Sequence, residues 1–286
     1  MDKWKRHFFS RAEWEGLNGR ETMRLKDKVI LVTGSTTGIG EGMVRVFARE
    51  GAKVMVHGRR RDAAQALVAE IGKEASFVIG SLEDPEVPAN LIAETINHFG
   101  RIDGLVNNAA AITRGSIEKT DSELFDRTVA VDLKAPFLLI QAALPYFRKQ
   151  GTGRVLNIGS MNAYCGERNQ FIYSICKGGL MTLTRNLADA YGAEGIRVNQ
   201  LNVGWTLTPN EFALKMKEGL PEDWPTRVSR TFAPSGRLLS PEDIAWAAVY
   251  FLSDEAALIN GAVLDVEQYP LIGRNPVKES PAGTLS

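Results

Sequence analysis

A short apolar run, Val29-Ile30-Leu31-Val32, passes directly into Thr33-Gly34-Ser35-Thr36-Thr37-Gly38-Ile39-Gly40, and a segment of helical period follows. No other feature limits the fold as strongly. A strand without polar residues is buried on both faces, as in a parallel sheet. In the following segment Ile39, Met43, Val46 and Phe47 recur on one helical face. Glycines between a strand and a helix permit a tight turn and let backbone N–H groups approach an anion. The positive end of the helix dipole then stands behind that anion. At the first crossover of a βαβ series this is how a dinucleotide pyrophosphate is held. The alternative is a tight turn with no ligand.

The alternation continues along the chain. Further strands are expected at 53–56, 77–79, 104–106, 154–158, 197–201 and 263–266. Helices are expected at 63–71, 88–99, from 122 through 133 to about 145, at 173–191 and at 241–252. The order implies an α/β fold, a single-domain doubly wound parallel sheet of Rossmann-like type. It has about seven strands, with helices on both faces, over residues 25–269. Residues 1–24 form an arm in which Trp4, Phe8 and Ala12 fall at helical spacing, and 270–286 form a proline-containing tail. Residues 206–240 interrupt the alternation, and a long insertion in a compact domain is usually a binding loop or lid.

Composition excludes several function classes. Lysine plus arginine and aspartate plus glutamate both number 34, so the formal net charge is zero. Nucleic acid or an anionic membrane as main partner calls for a basic excess or stripe. No run of 18 apolar residues is present, so no membrane span is expected. The first 24 residues lack the apolar core of a signal peptide. Cys165 and Cys176 make neither a disulfide framework nor a Cys-x-x-Cys pair, which suits free thiols in the cytoplasm. His7, His57 and His98 follow no ligand spacing, so no metal site is expected.

Two further segments carry chemistry. The second strand ends in His57-Gly58-Arg59-Arg60-Arg61, where dinucleotide-binding folds often place an acid on the ribose of NAD. The acid is missing and Arg59 stands ready for the 2′-phosphate of NADP. The expected cofactor is therefore NADP(H), with NAD(H) as the alternative. A solvated basic turn is the simpler reading of the same residues. In Tyr173-Ser174-Ile175-Cys176-Lys177 the tyrosine and lysine lie one helical turn apart. An ammonium beside a phenol is expected to lower the phenol pKa from about 10 and make it a general acid or base. Ser160, at the end of a strand, points a hydroxyl into the crevice where such sheets bind ligands.

These residues together resemble the short-chain dehydrogenase/reductase family over about residues 25–269. The match rests on the Thr-Gly-x-x-x-Gly-Ile-Gly turn, Asn107-Asn108-Ala109-Ala110, Ser160 thirteen residues before Tyr173, Tyr173-x-x-x-Lys177, and Pro234-Ser235-Gly236-Arg237 leading into Pro241-Glu242-Asp243-Ile244-Ala245. The resemblance implies an oxidoreductase moving a hydride between a nicotinamide cofactor and a secondary alcohol or ketone. Tyr173 would exchange the proton, Lys177 would depress its pKa and bind the nicotinamide ribose, and Ser160 would hold the substrate oxygen. Gly34, Ser35, Thr36, Thr37, Gly38, Ile39, Gly40, Arg59, Ser81, Leu82, Asn108, Ala109, Gly204 and Thr206 would contact the cofactor. A homo-oligomer, tetramer or dimer, is implied as well.

Several positions depart from the family pattern. Asp132 stands where the family has an asparagine, and its charge would offset the field of Lys177. It is either protonated or an alternative proton relay. Ser81 replaces an aspartate, Val203-Gly204 replaces Pro-Gly, and Glu267-Gln268-Tyr269 replaces a pair of glycines. Around Ser160 and Tyr173 the chain is polar: Asn162, Glu167, Arg168, Asn169 and Gln170, with Arg114 nearby. Such groups suit a sugar, polyol or sugar acid better than a lipid, or else belong to a solvated loop. Trp205 and Trp224 are placed either to stack on a sugar ring or to pack. The competing function is a non-catalytic sensor of the nicotinamide state.

Overall fold

The computed structural model describes residues 23–112 and 114–268. The expected arm helix at Trp4–Phe8–Ala12 and the tail at 270–286 lie outside the described residues. Seven strands form one parallel sheet: β1 (Val29–Val32), β2 (Lys53–Gly58), β3 (Ala75–Ile79), β4 (Gly104–Asn107), β5 (Gly153–Ser160), β6 (Ile196–Val203) and β7 (Val263–Val266). Their spatial order is β3-β2-β1-β4-β5-β6-β7. The order reverses between β1 and β4, so a crevice opens there at the carboxyl ends of the strands.

Helices cover both faces. On one face α1 (Gly38–Arg49) lies beside the late helix α9 (Pro241–Leu252). Met43, Phe47, Ile244 and Ala248 pack there on Ile30, Val32, Val106 and Leu156. On the other face lie α3 (Val87–Phe99), α5 (Ala135–Gln150) and α7 (Phe171–Tyr191), reached by Leu31, Leu105, Val155 and Val198. Alternate strand residues thus enter different cores, as the two-residue period of a strand requires. The remaining early helix, α2 (Arg61–Ile71), follows β2.

The long helix runs further than the sequence suggests. It begins as α4 (Ser122–Val129), passes through a π-helical turn at Ala130–Lys134 and continues as α5. Pro145 sits inside it, and the stop is Gly151 at φ 69°, the left-handed geometry that glycine adopts freely. By length and composition alone, Ser122–Gln150 would suffice to cross a membrane. Its apolar residues Leu139, Ile140, Ala143 and Phe147 are accounted for by the sheet they cover.

The sheet face under α7 carries a polar chain. Asn107 Nδ2 donates to Asn157 Oδ1 (2.8 Å), and Asn157 Nδ2 donates to Thr184 Oγ1 (2.8 Å). Thr184 Oγ1 lies 3.0 Å from Gln200 Oε1, Gln200 Nε2 donates to Asn202 Oδ1 (2.7 Å), and Asn202 Nδ2 donates to Asp265 Oδ1 (3.2 Å). The chain crosses β4, β5, β6 and β7 and ends on a carboxylate. Gly159 makes room for it, since a Cβ there would lie 2.2 Å from Asn202 Oδ1 and 2.4 Å from Gln200 Nε2.

Residues 206–240 hold α8 (Pro209–Lys217) and a core of their own, built on Leu207, Leu220, Trp224, Val228, Ala233 and Leu238. The ends of the segment pair through Leu207 N to Leu239 O (2.8 Å). Gln268 fastens the returning strand: its Oε1 accepts from Ser235 Oγ (2.7 Å) and its Nε2 donates to Arg237 O (2.8 Å).

Gly159→Ala is expected to cost about 1–3 kcal/mol by overpacking. For a domain of this size that lowers the melting temperature by about 2–4 °C per kcal/mol. A thermal melt of the variant checks it, and an unchanged midpoint would mean that the Gln200–Asn202 pair moves aside freely.

Candidate active site

Ser160 is the last residue of β5, and Tyr173 and Lys177 sit in the first two turns of α7. The three meet at the carboxyl edge of the sheet. The Ser160 hydroxyl lies beside the Tyr173 phenol and favours its ionised form. Ser160 Oγ also accepts from Asn162 N (3.2 Å), at the start of the short helix α6 (Asn162–Cys165). Lys177 is buried, its Nζ lies 5.4 Å from the Tyr173 ring centroid, and it donates to Ile158 O (2.9 Å).

The π turn brings Asp132 to the same place. An i→i+5 turn adds a residue to a helical turn, and such bulges recur at functional sites. Asp132 is fully buried. Its Oδ1 accepts from Ala111 N (2.6 Å), and its Oδ2 faces Lys177 Nζ at 3.8 Å without a hydrogen-bond partner among the described residues. Burial raises the Asp132 pKa, opposed by the Lys177 charge and the Ala111 N–H. Burial lowers that of Lys177, opposed by Asp132. Both groups are driven toward their neutral forms, and their mutual attraction resists the change.

The expected depression of the Tyr173 pKa is not found. Burial pushes it well above its usual value, the charge of Asp132 adds to the rise, and only the Ser160 hydroxyl opposes it. Desolvation of the phenolate outweighs the nearby ammonium, whose field Asp132 offsets.

The glycine turn is built as a cradle. Gly34 and Gly38 have φ of 61° and 60°. A Cβ on Gly34 would lie 2.7 Å from Ala109 Cα, and one on Gly40 would lie 2.5 Å from Gly34 O. Asn108 Nδ2 donates to Thr33 O (2.9 Å) and Gly34 O (3.0 Å), and Thr33 Oγ1 accepts from Ala109 N (3.1 Å). Asn108 and Ala109 therefore buttress the turn. Thr37, the N-cap of α1, makes no side-chain cap, which leaves the first-turn N–H groups to an anion. A nicotinamide dinucleotide fits this donor set: the turn would hold its pyrophosphate and Lys177 would hold the nicotinamide ribose.

Several of the other expected contact residues have side-chain partners within the protein. Ser35 is buried and its hydroxyl donates to Val32 O (2.7 Å), so its side chain serves the turn. The Leu82 side chain belongs to the core beneath α3 and α5. Thr206 Oγ1 donates to Gly204 O (3.1 Å), and Gly204 lies against the Glu267 carboxylate. Trp205 is not available for a sugar ring. It stacks on Trp224 at 5.8 Å, meets Phe232 edge-on, and donates from Nε1 to Glu211 Oε1 (2.8 Å). Asn162 Nδ2 donates to Gln170 Oε1 (2.7 Å), Arg168 is exposed, and Arg114 pairs with Glu218 of the 206–240 segment (2.9 Å). Arg59 and Ser81 lie at the ends of β2 and β3, as expected, and Thr36 packs on Gly58. His57 follows no metal-ligand spacing, so the sequence assigns it no role. Its place beside Gly58-Arg59 was the available signal.

A parallel doubly wound sheet with this turn and this Ser–Tyr–Lys cluster defines a nicotinamide-dependent oxidoreductase. The chain belongs to the short-chain dehydrogenase/reductase family. The family described as Enoyl-(Acyl carrier protein) reductase matches residues 34–268. An uncharacterised oxidoreductase of Thermotoga maritima is 35% identical over 249 residues, covering 86% of this chain and 98% of that protein. L-rhamnose 1-dehydrogenase (NAD(P)(+)) of a Sphingomonas species is 33% identical over 85% of this chain and 96% of that one. The crystal structure of 3-ketoacyl-(acyl-carrier-protein) reductase from Brucella melitensis, complexed with NADH, superposes with a TM-score of 0.76 at 32% identity. The match covers 85% of this chain and 97% of that chain. The protein is an NAD(P)-dependent enzyme acting on a secondary alcohol or ketone, and nothing in these relatives supports a non-catalytic sensor.

In the oxidation direction the rate rises with pH as Tyr173 ionises. Asp132→Asn removes a charge that opposes that ionisation, so the limb should move to lower pH by about one unit. A pH–rate profile decides it: an unmoved limb means that Asp132 carries no charge during turnover.

Proposed function

We propose that the enzyme interconverts a secondary alcohol and a ketone on a sugar, polyol or sugar acid, with NADP(H) as its preferred cofactor. The observation that carries the chemistry is the buried cluster at the carboxyl edge of the sheet: Ser160 at the end of β5, with Tyr173 and Lys177 one turn apart on α7. Tyr173 Oη takes the hydroxyl proton during oxidation and returns it during reduction. Ser160 Oγ holds the same substrate oxygen. Lys177 Nζ, fixed by Ile158 O, binds the ribose and favours the phenolate once its charge faces the phenol. The bound nicotinamide supplies or accepts the hydride at C4.

The substrate class rests on the polar mouth formed by Asn162, Gln170 and exposed Arg168, and on the sugar dehydrogenase among the relatives. The preference for NADP(H) rests on exposed Arg59 after Gly58 and on the absence of an acid there. Assembly as a homo-oligomer, tetramer or dimer, is supported by the edge position of β7, with Leu264 exposed. A buried Cys176 and an unpaired Cys165 suit a cytoplasmic enzyme.

Nicotinamide absorbance against a panel of sugars, polyols and simple ketones tests the substrate class. Turnover confined to apolar ketones would overturn it. Tyr173→Phe should lower kcat by about a hundredfold or more, the scale of a lost general acid–base. Arg59→Ala should weaken NADPH by about tenfold, the worth of a charge-assisted hydrogen bond, and leave NADH nearly unchanged. Equal losses for both cofactors would remove the 2′-phosphate role.

A further inference from the structure

We infer that His57 is a positioning residue for the cofactor, locked in one tautomer to hold the adenosine end of the cradle in shape. It lies in β2, one residue before Gly58, and only 2% of it is exposed. Gly34 N donates to its Nδ1 (3.2 Å). An Nδ1 that accepts carries no proton, so the neutral ring bears its hydrogen on Nε2. That nitrogen lies 3.2 Å from Gly80 O, which accepts it. Burial holds the imidazole pKa down at about 4, so the ring stays neutral at ordinary pH.

One ring therefore ties three loops. Gly34 begins the turn after β1, Gly58 and Arg59 follow His57 at the end of β2, and Gly80 precedes Ser81 after β3. The backbone ties are aligned with it: Ser35 N donates to His57 O (2.7 Å), His57 N to Ser35 Oγ (3.0 Å), and Gly80 N to Gly58 O (3.1 Å). The Gly34 N–H is turned toward the ring at a left-handed φ, so His57 fixes the orientation of the peptide that opens the cradle. The pair Ser160–Tyr173 lies at the end of β5, beyond β1 and β4 in the sheet. His57 touches neither, so its effect belongs to cofactor binding and leaves the chemical step alone.

The two ring nitrogens can be replaced separately. Asn places its Oδ1 near the position of Nδ1 and keeps the acceptor for Gly34. Gln reaches toward Gly80 and loses that acceptor. Leu loses both. Fluorescence titration with NADH and NADPH should show His57→Gln and His57→Leu binding both cofactors about tenfold more weakly, the scale of an abandoned buried donor. His57→Asn should stay within about threefold of the parent. ADP-ribose should weaken in parallel, and kcat at saturating cofactor should hold while the cofactor KM rises. Equal losses in the Asn and Gln variants, no loss in Gln or Leu, or a kcat that falls with the rise in KM would each overturn the assignment. Because both cofactors are titrated without substrate, failure here is distinguishable from failure of the NADP or sugar readings.

Discussion

The register of the sheet depends on the polar chain from Asn107 through Asn157, Thr184, Gln200 and Asn202 to Asp265. All its members but the terminal Asp265 are almost fully buried, so each unpaired amide would cost about 1–3 kcal/mol. A strand slipped by one residue sends every side chain to the opposite face. In β6 that would drive Gln200 and Asn202 into the apolar core beneath α1 and α9, and turn Leu201 toward the amides. Apolar runs such as Val29–Val32 carry little register information by themselves. The amides supply it, and Gly159 supplies the space. With β5 and β6 in register, Ser160 stands opposite Val203 at the rim of the crevice. The catalytic hydroxyl is thereby placed by groups that never touch a ligand.

The same core forces an unusual electrostatic balance. A lysine nearly without solvent needs a partner for its charge. Here it has one carbonyl at hydrogen-bond distance and a carboxylate 3.8 Å away. The carboxylate retains the ammonium and at the same time weakens its effect on Tyr173. An amide at position 132 would accept the Ala111 N–H equally well and leave the lysine field unopposed. Asp132 therefore trades phenol acidity for a better-compensated lysine. The consequence lies in the pH range of catalysis more than in the fold.

What was legible in the sequence divides by the range of the interactions. The glycine turn, Ser160 and Tyr173-x-x-x-Lys177 are local patterns; they imply the parallel sheet that the structure has, and its topology brings Ser160, Tyr173 and Lys177 together at the carboxyl edge. The long helix passes the expected end near 145 because Pro145 is accommodated inside it, and Gly151 ends it by its left-handed geometry. Ser35 and Leu82 lie beside cofactor-facing backbone, yet their side chains point into the protein, which spacing alone cannot reveal. The meaning of His57 depends on partners 23 residues away on either side, Gly34 and Gly80. Trp205 depends on Trp224 in the same way.

The packing of Trp205 changes how the 206–240 segment should be regarded. A flexible flap would expose its aromatic residues when open. This segment instead buries Trp224 completely and surrounds it with Leu207, Leu220 and Leu238. Its ends are paired to each other, and Gln268 fastens the returning strand to the sheet margin. Such a unit moves as a body or stays in place. Its tie across the crevice is the Arg114–Glu218 pair, and a partly exposed ion pair contributes little, about 0–1 kcal/mol. Glu218 has a second cation, Lys215, at 2.9 Å, so releasing Arg114 leaves no isolated charge. The aromatic residues give the segment its stiffness.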